Sequence, residues 1–334
     1  MTNRLKPMNI LLTGSVAFDY LMTFPGYFRD HILPEKLASI SLSFLVDSMV
    51  RLRGGIAPNI AYTLALLGQH PRLWATVGED FSEYRQWLES KGVDTQGARV
   101  VPGEFTASFF VNTDRANAQI ASFYPGAMAR AASLSLHQLV GNEPELVMIS
   151  PNDPGAMSQY VRESQDMGIP YIYDPSQQIV RMSSQELCDG IVGAYGLFVN
   201  DYEAALVEKM TGMKPEEILA RNQQPGRPFV VVTRGEQGAT VYAREGVVHT
   251  PVVPPEVIVD PTGVGDAFRG GFLTGYAYGL AFETCCRMGA LAATYCLEQR
   301  GPQGHSYTIP QFVARFRQHF DDHGKLNQIL EKFT

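Results

Sequence analysis

The chain alternates short apolar runs with longer amphipathic stretches. Asn9–Thr13, Leu73–Val77, Leu146–Ser150, Tyr171–Asp174, Leu197–Asn200 and Phe229–Thr233 are short apolar or β-branched runs. Runs this short read as interior strands, because a parallel strand covered on both faces need not alternate. Between most of them lie stretches with helical spacing: Pro58–Leu67, Phe81–Lys91, Gly155–Met167, Gln185–Gly193 and Tyr202–Thr211. The alternation predicts a mainly parallel sheet with helices on both faces. Tyr20–Arg53 and Arg99–Tyr124 break the rhythm with alternating or mixed segments such as Ser41–Val46 and Ala107–Asn112. These read as antiparallel strands inserted between elements of the main sheet, a small β lid assembled from two separated insertions. The last third is mostly helical, most clearly at Gly263–Gly279, Phe282–Glu298 and Pro310–Phe320.

Length and composition narrow the class. The 334 residues, 45% hydrophobic and 18% charged, suit about two domains or one large α/β unit with an appendage, and exclude a disordered or fibrous chain. Lys and Arg number 27 against 34 Asp and Glu, a net charge of −7, so no global attraction draws the protein to nucleic acid or an anionic membrane. Cys188, Cys285, Cys286 and Cys296 form no CxxC pair, which fits a reducing compartment. The basic opening is followed by an apolar stretch cut by Gly14 and Asp19, and no run approaches the roughly 18 residues of a membrane span. These features read as a soluble cytoplasmic protein.

Candidate chemistry concentrates in Val259–Phe272, VDPTGVGDAFRGGF. Glycines let backbone N–H groups approach a ligand, and the helix that follows adds its own unpaired N–H groups and positive dipole end. Gly263, Val264 and Gly265 therefore read as an anion site. Asp266 within it would repel phosphate unless it takes a proton from the group attacking that phosphate; the same carboxylate also suits an N-cap. Gly270 and Gly271 read as packing positions. A P-loop GxxxxGK[ST] and a GxGxxG after the first strand are both absent, which leaves a nicotinamide oxidoreductase poorly supported. A second segment, Arg53–Gly68, has the Gly54–Gly55 pair, Pro58 in a first helical turn and Gly68 at its end. Asn59 projects from that turn with an amide able to bind a polyol, although an ordinary capped helix would look the same.

Together the two segments resemble the signatures of the ribokinase-like (PfkB) family of sugar and nucleoside kinases, over nearly the whole chain. Leu12–Asp19, Ser41–Asp47, Gln119–Ala127, Asp174–Gln178 and Asn200–Glu203 are further similar to the bacterial-type adenosine kinases of that family. The resemblance implies an α/β, three-layer αβα sandwich with a mainly parallel central sheet, a single unit over residues 1–334 whose lid comes from about 18–53 and 99–125. It implies ATP-dependent transfer to the 5′-hydroxyl of adenosine, giving AMP and ADP in purine salvage, with Asp266 as general base and Gly263–Asp266 as anion hole. A ribokinase-like sugar kinase, a kinase for another nucleoside and a non-catalytic nucleoside-binding relative stand as alternatives.

Carried over by position, Asp19 and Asn59 would hold the ribose hydroxyls and Gly54 and Gly55 would let the sugar lie on the backbone. Ser15 and Ser43 would add polar contacts, Phe109 and Phe123 would flank the base, and Gln177 and Gln178 would meet its edge. Phe109 or Phe123 could equally be lid core. On the ATP side the resemblance implies Thr233, Arg234, Gly235 and Gly238 at the nucleotide and Asn200 with Glu203 around Mg²⁺. Arg234 departs from the smaller or apolar residue usual in the family. A monovalent cation near Asp260–Thr262 stays open, and exposed lid-strand edges imply a homodimer through the lid.

Overall fold

The computed structural model describes residues 7–39 and 41–331. The first residues of the basic opening, 1–6, lie outside the described residues. Among the described residues the strands are β1 (Ile10–Thr13), β2 (Ala17–Thr23), β3 (Ser48–Gly54), β4 (Arg72–Val77), β5 (Ala98–Val100), β6 (Ala107–Thr113), β7 (Gln119–Tyr124), β8 (Leu146–Ile149), β9 (Tyr171–Tyr173), β10 (Gly196–Asn200), β11 (Phe229–Thr233), β12 (Ala239–Ala243) and β13 (Gly246–Thr250). The helices are α1 (Ile56–Leu66), α2 (Ser82–Ser90), α3 (Pro154–Asp166), α4 (Ser184–Val192), α5 (Asp201–Thr211), α6 (Pro215–Arg221), α7 (Val264–Ala277), α8 (Phe282–Leu297), α9 (Ile309–His319) and α10 (Asn327–Leu330).

Among the described residues the strands form a nine-stranded sheet, ordered β13-β12-β11-β10-β9-β8-β1-β4-β5, and a four-stranded sheet, ordered β3-β2-β6-β7. The large sheet is parallel from β11 through β5, with β12 and β13 antiparallel at one edge. Its inner strands are buried on both faces, and the alternation of the pleat assigns each of their side chains to one of two cores. Ile10 and Leu12, Leu146 and Met148, and Phe229 and Val231 pack with α1, α7, α8 and α9. Leu11, Val147, Ile149, Val230 and Val232 pack with α3, α4 and α5 on the other face. This three-layer arrangement is the one the apolar runs predicted.

Two boundaries differ from the sequence reading. Ser41–Val46 is irregular: Leu42 and Leu45 are exposed, and Phe44 meets Phe24 and Phe28 edge-on, with centroids 5.0 and 4.9 Å away. Arg99, taken as the start of the second lid insertion, lies in β5, which pairs with β4 in the large sheet; β6 and β7 make the insertion. The hairpin β12–β13 was not foreseen. No helix among the described residues is long and apolar enough to cross a membrane.

Connections from β1 run toward β4, those from β8 toward β9, so neighbouring β1 and β8 form a switch point where the loops beyond the strand ends diverge and leave a crevice. Ser15, Asp174, Asn200 and Thr233 all sit at or just beyond the carboxyl ends of parallel strands, hence on one edge of the sheet.

Candidate active site

The site starts from the helix α7. Gly263, its N-cap, has φ 80° and ψ 0°, a left-handed conformation that glycine adopts without a Cβ clash, and a Cβ there would lie 2.3 Å from that of Pro302. The Ala267 N–H donates to Gly263 O at 2.9 Å, so the amides of Gly265 and Asp266 have no acceptor within the helix and point out of its positive end. The Val264 N–H, expected at the anion hole, makes a long bond to Pro261 O at 3.4 Å. Gly270 and Gly271 do serve packing: a Cβ on the first would meet Thr63 of α1 at 2.6 Å, and on the second the Met288 carbonyl of α8 at 2.5 Å. The first contact packs α7 against α1 and the second packs it against α8, while the first turns of α7 and α1 meet through Asp266 and Asn59.

Asp266 is half-buried there, and its Oδ2 accepts from Asn59 Nδ2 at 2.9 Å. Burial pushes its pKa up to about 7, against the Arg269 charge and the Asn59 hydrogen bond, while Asp174 and Asp19 add repulsion. Arg269, one turn on, is buried; its Nη1 donates to Gly265 O at 3.0 Å, its Nη2 to Asp174 Oδ1 at 2.8 Å, and its Nε lies 2.5 Å from Asp174 Oδ2. Asp174 is fully buried and keeps Arg269 charged. Neither member of this pair was singled out from sequence.

Asp19 lies across from this point on the small sheet. Strand register aligns Leu52, Asp19, Phe109 and Phe123 in one row across β3, β2, β6 and β7, so these side chains share a face. Leu52 approaches Gly301, where a Cβ would stand 3.1 Å from it, so this face looks onto the segment beside α7. Burial first, and then the charge of Asp260, push the Asp19 pKa up to about 6. Phe109 is half-buried and Phe123 is 50% exposed. Gly54 lies against the carboxylate, since a Cβ there would be 2.6 Å from Asp19 Oδ2, and Gly55 has φ 95° with room only for hydrogen.

The remaining predicted positions divide. Ser15 Oγ accepts from the Ile56 N–H at 3.3 Å and so caps α1. Ser43 is exposed in the irregular segment. Gln178 is buried, with Oε1 accepting from Arg181 at 3.4 Å, whereas its neighbour Gln177 is exposed. Asn59 commits both ends of its amide within the protein: besides donating to Asp266 it accepts from Gln303 Nε2 at 3.0 Å. Asn200 and Glu203 form a reciprocal capping box on α5, with both bonds at 2.8 Å, and Glu203 Oε1 accepts from Ser176 at 3.2 Å. Arg234 follows the end of β11 at Thr233 and points its guanidinium at the Thr240 and Tyr242 hydroxyls of β12, while its N–H closes the Gly235–Gly238 turn on Gly238 O at 2.8 Å. Asp260 accepts from the N–H groups of Thr262 and Gly301, both at 2.9 Å.

A carboxylate held beside outward-pointing helix amides is an arrangement suited to phosphoryl transfer. The family model of pfkB family carbohydrate kinases matches residues 16–309. A nucleoside kinase of Methanothermobacter thermautotrophicus is 30% identical over 311 residues, 92% of this chain and 95% of that protein. The nucleoside kinase of Burkholderia thailandensis superposes with a TM-score of 0.80 in its complex with inosine, at 37% identity over 93% of this chain and 98% of that one. Its ligand-free form gives 0.82 at 38% identity, over 92% and 99%. The chain belongs to the pfkB family of carbohydrate kinases, has the ribokinase-like fold, and is a phosphotransferase acting on a hydroxyl acceptor.

Proposed function

We propose that the protein is an ATP-dependent nucleoside kinase that phosphorylates the 5′-hydroxyl of adenosine. One observation carries the reading: Asp266 stands half-buried among outward-facing amides, opposite a row that places Asp19 beside Phe109 and Phe123. The carboxylate of Asp19 accepts from the ribose diol over Gly54 and Gly55, and the phenylalanine faces stack on the base, worth about 1–3 kcal/mol per base. The small sheet acts as a lid that excludes water as a competing acceptor. Asp266 takes the proton from the 5′-oxygen as that oxygen attacks the γ-phosphorus of ATP. The amides of Gly265 and Asp266 receive the charge of the transferring group, with Arg269 bracing the turn through Gly265 O.

No group of three or more His, Cys, Asp or Glu side chains among the described residues could hold a metal directly. A Mg²⁺ arriving with the phosphates would need few protein ligands, and Glu203, buried and bonded to Ser176, would hold its waters as the carboxylate of the NxxE motif. Such an ion neutralises phosphate oxygens. Thr233, Gly235 and Gly238 line the nucleotide end, with Arg234 acting on the β12 side of that turn.

A panel of adenosine, inosine, cytidine, ribose and fructose 6-phosphate, assayed with MgATP, tests the reading. Adenosine is expected to give the highest kcat/KM and ribose at least about tenfold less, for want of a flat group to stack. A preference for ribose would overturn it. Preference for inosine, the ligand of the similar Burkholderia structure, would keep the nucleoside class and replace adenosine.

We also propose a homodimer through the small sheet. Strand β7 is an edge strand exposed along its whole length, with Ile120, Phe123 and Tyr124 at 42, 50 and 41% exposure. Such an edge invites pairing. Light scattering is expected to give twice the chain mass, and Ile120→Lys to shift the species toward monomer; a wild-type monomer at micromolar concentration excludes the dimer.

A further inference from the structure

Behind Asp266 runs a line of side chains that the reaction as described does not use. The Trp87 Nε1–H donates to Gln303 Oε1 at 3.1 Å. Gln303 Nε2 donates to Asn59 Oδ1 at 3.0 Å and also to the Tyr84 hydroxyl, which in turn donates to Gly54 O at 3.0 Å. Asn59 Nδ2 donates to Asp266 Oδ2 at 2.9 Å. Gln303 and Asn59 are 8 and 5% exposed, and Tyr84 is fully buried, so these amides have little access to water.

The order of donors and acceptors in this line is forced. An indole nitrogen only donates, a backbone carbonyl only accepts, and an ionised carboxylate only accepts. Trp87 at one end therefore turns the Gln303 oxygen toward itself and the Gln303 nitrogen toward Asn59. That nitrogen takes the Asn59 oxygen, which leaves the Asn59 nitrogen for Asp266. The Tyr84 branch agrees, because its hydroxyl hydrogen goes to Gly54 O and only its lone pair faces Gln303. Without Trp87 and Gln303 the Asn59 amide could reverse and set its oxygen against the carboxylate.

We propose that Trp87 and Gln303 are positioning residues that act through Asn59, fixing which end of its amide meets Asp266 and so holding the carboxylate as an ionised acceptor. The inference rests on Asp266 being the base proposed above. It also ties that base to the acceptor side of the cleft, since Gly54, at the other branch of the line, lies against Asp19. Asn59 thereby has a role in orienting the base even before any sugar is bound.

The test reads the ionisation of Asp266 itself, by ¹³C NMR of the carboxyl carbon in the free protein with Asp266→Asn as the assignment control, so it does not depend on turnover. Gln303→Met removes the polar link without adding charge, and Trp87→Phe removes the terminal donor while keeping an aromatic face toward Tyr62, 6.2 Å away, and toward the Arg53 and Lys91 cations that lie over the ring. Gln303→Met is expected to raise the Asp266 pKa by about one pH unit, and Trp87→Phe to move it the same way by less. In an Asn59→Leu background, itself raised, Gln303→Met is expected to add nothing, because its effect passes through the missing amide. An unchanged pKa in Gln303→Met, or a full additional shift in the double variant, overturns the proposal. Should Gln303→Met fail to fold, an unchanged pKa in Trp87→Phe overturns it equally. The acid limb of kcat/KM is expected to follow the NMR value; a limb that stays put while the carboxyl shifts would instead remove Asp266 from the base role and leave the relay standing.

Discussion

Asp266→Asn is expected to lower kcat by about 10²–10⁴ while the nucleoside KM changes by no more than about threefold, the scale on which a general base acts. The asparagine keeps the size of the side chain and can still accept from Asn59, so the binding row on the small sheet is left as it was. Steady-state kinetics with adenosine and MgATP measure both constants, and near-normal turnover would remove Asp266 from its role. The wild-type pH profile carries the companion expectation. A base whose pKa is about 7 is largely protonated at pH 6, so kcat/KM falls on the acid side of neutrality. The same shift has a stability cost whose sign can be worked out. The folded protein holds this proton up to about pH 7, whereas the unfolded chain releases it near the ordinary value of 3.8. The folded state thus binds more protons between those values, and this residue's contribution to stability falls as pH rises through the interval. Asp266→Asn is therefore expected to be more stable than wild type at pH 8, on the order of 1–3 kcal/mol, with the gain vanishing near pH 4. Thermal unfolding at the two pH values checks this.

Arg269→Met is expected to be the most damaging single change to the fold of the site. Asp174 is fully buried, and Arg269 provides its hydrogen bond and its countercharge. Removing one partner of a buried pair leaves an uncompensated charge at a cost of about 3–5 kcal/mol. For a chain of this size the expected fall in Tm is on the order of 10 °C. Pairing Arg269→Met with Asp174→Asn removes the stranded charge and is expected to recover part of the loss. Turnover is expected to fall in both, because the guanidinium also holds the Gly265 carbonyl and hence the turn whose amides are proposed to receive the phosphoryl charge. A Tm within about 2 °C of wild type in the single variant would show that the pair contributes little.

The large sheet was legible in the sequence because its strands are covered on both sides. Phe229–Thr233 reads as an unbroken apolar run for the same reason that Phe229 and Val231 serve one core and Val230 and Val232 the other. Ser41–Val46 misled because alternation records only which side chains are sheltered: Phe44 is sheltered by Phe24 and Phe28, and no ladder is needed for that. The hairpin β12–β13 escaped because β13 is an edge strand, largely exposed and carrying His249, and β12 interrupts its apolar positions with Thr240. In the site, the glycine loop with Asp266 could be found because its parts are neighbours in the chain. The Asp174–Arg269 and Asn59–Gln303 contacts could not, since the partners are 95 and 244 residues apart and no local pattern announces them. NxxE was visible too, and there the plainer reading, a helix cap, is the arrangement the backbone adopts.

One residue, Gly55, separates the last position of β3 from the first of α1. The strand belongs to the sheet that carries Asp19; the helix carries the amide that steadies Asp266. A glycine held at φ 95° is thus a joint between the half proposed to grip the sugar and the half proposed to take its proton. Whatever tilts one arm of that joint is geared to the other, so drift in acceptor preference and drift in chemical competence are inherited together.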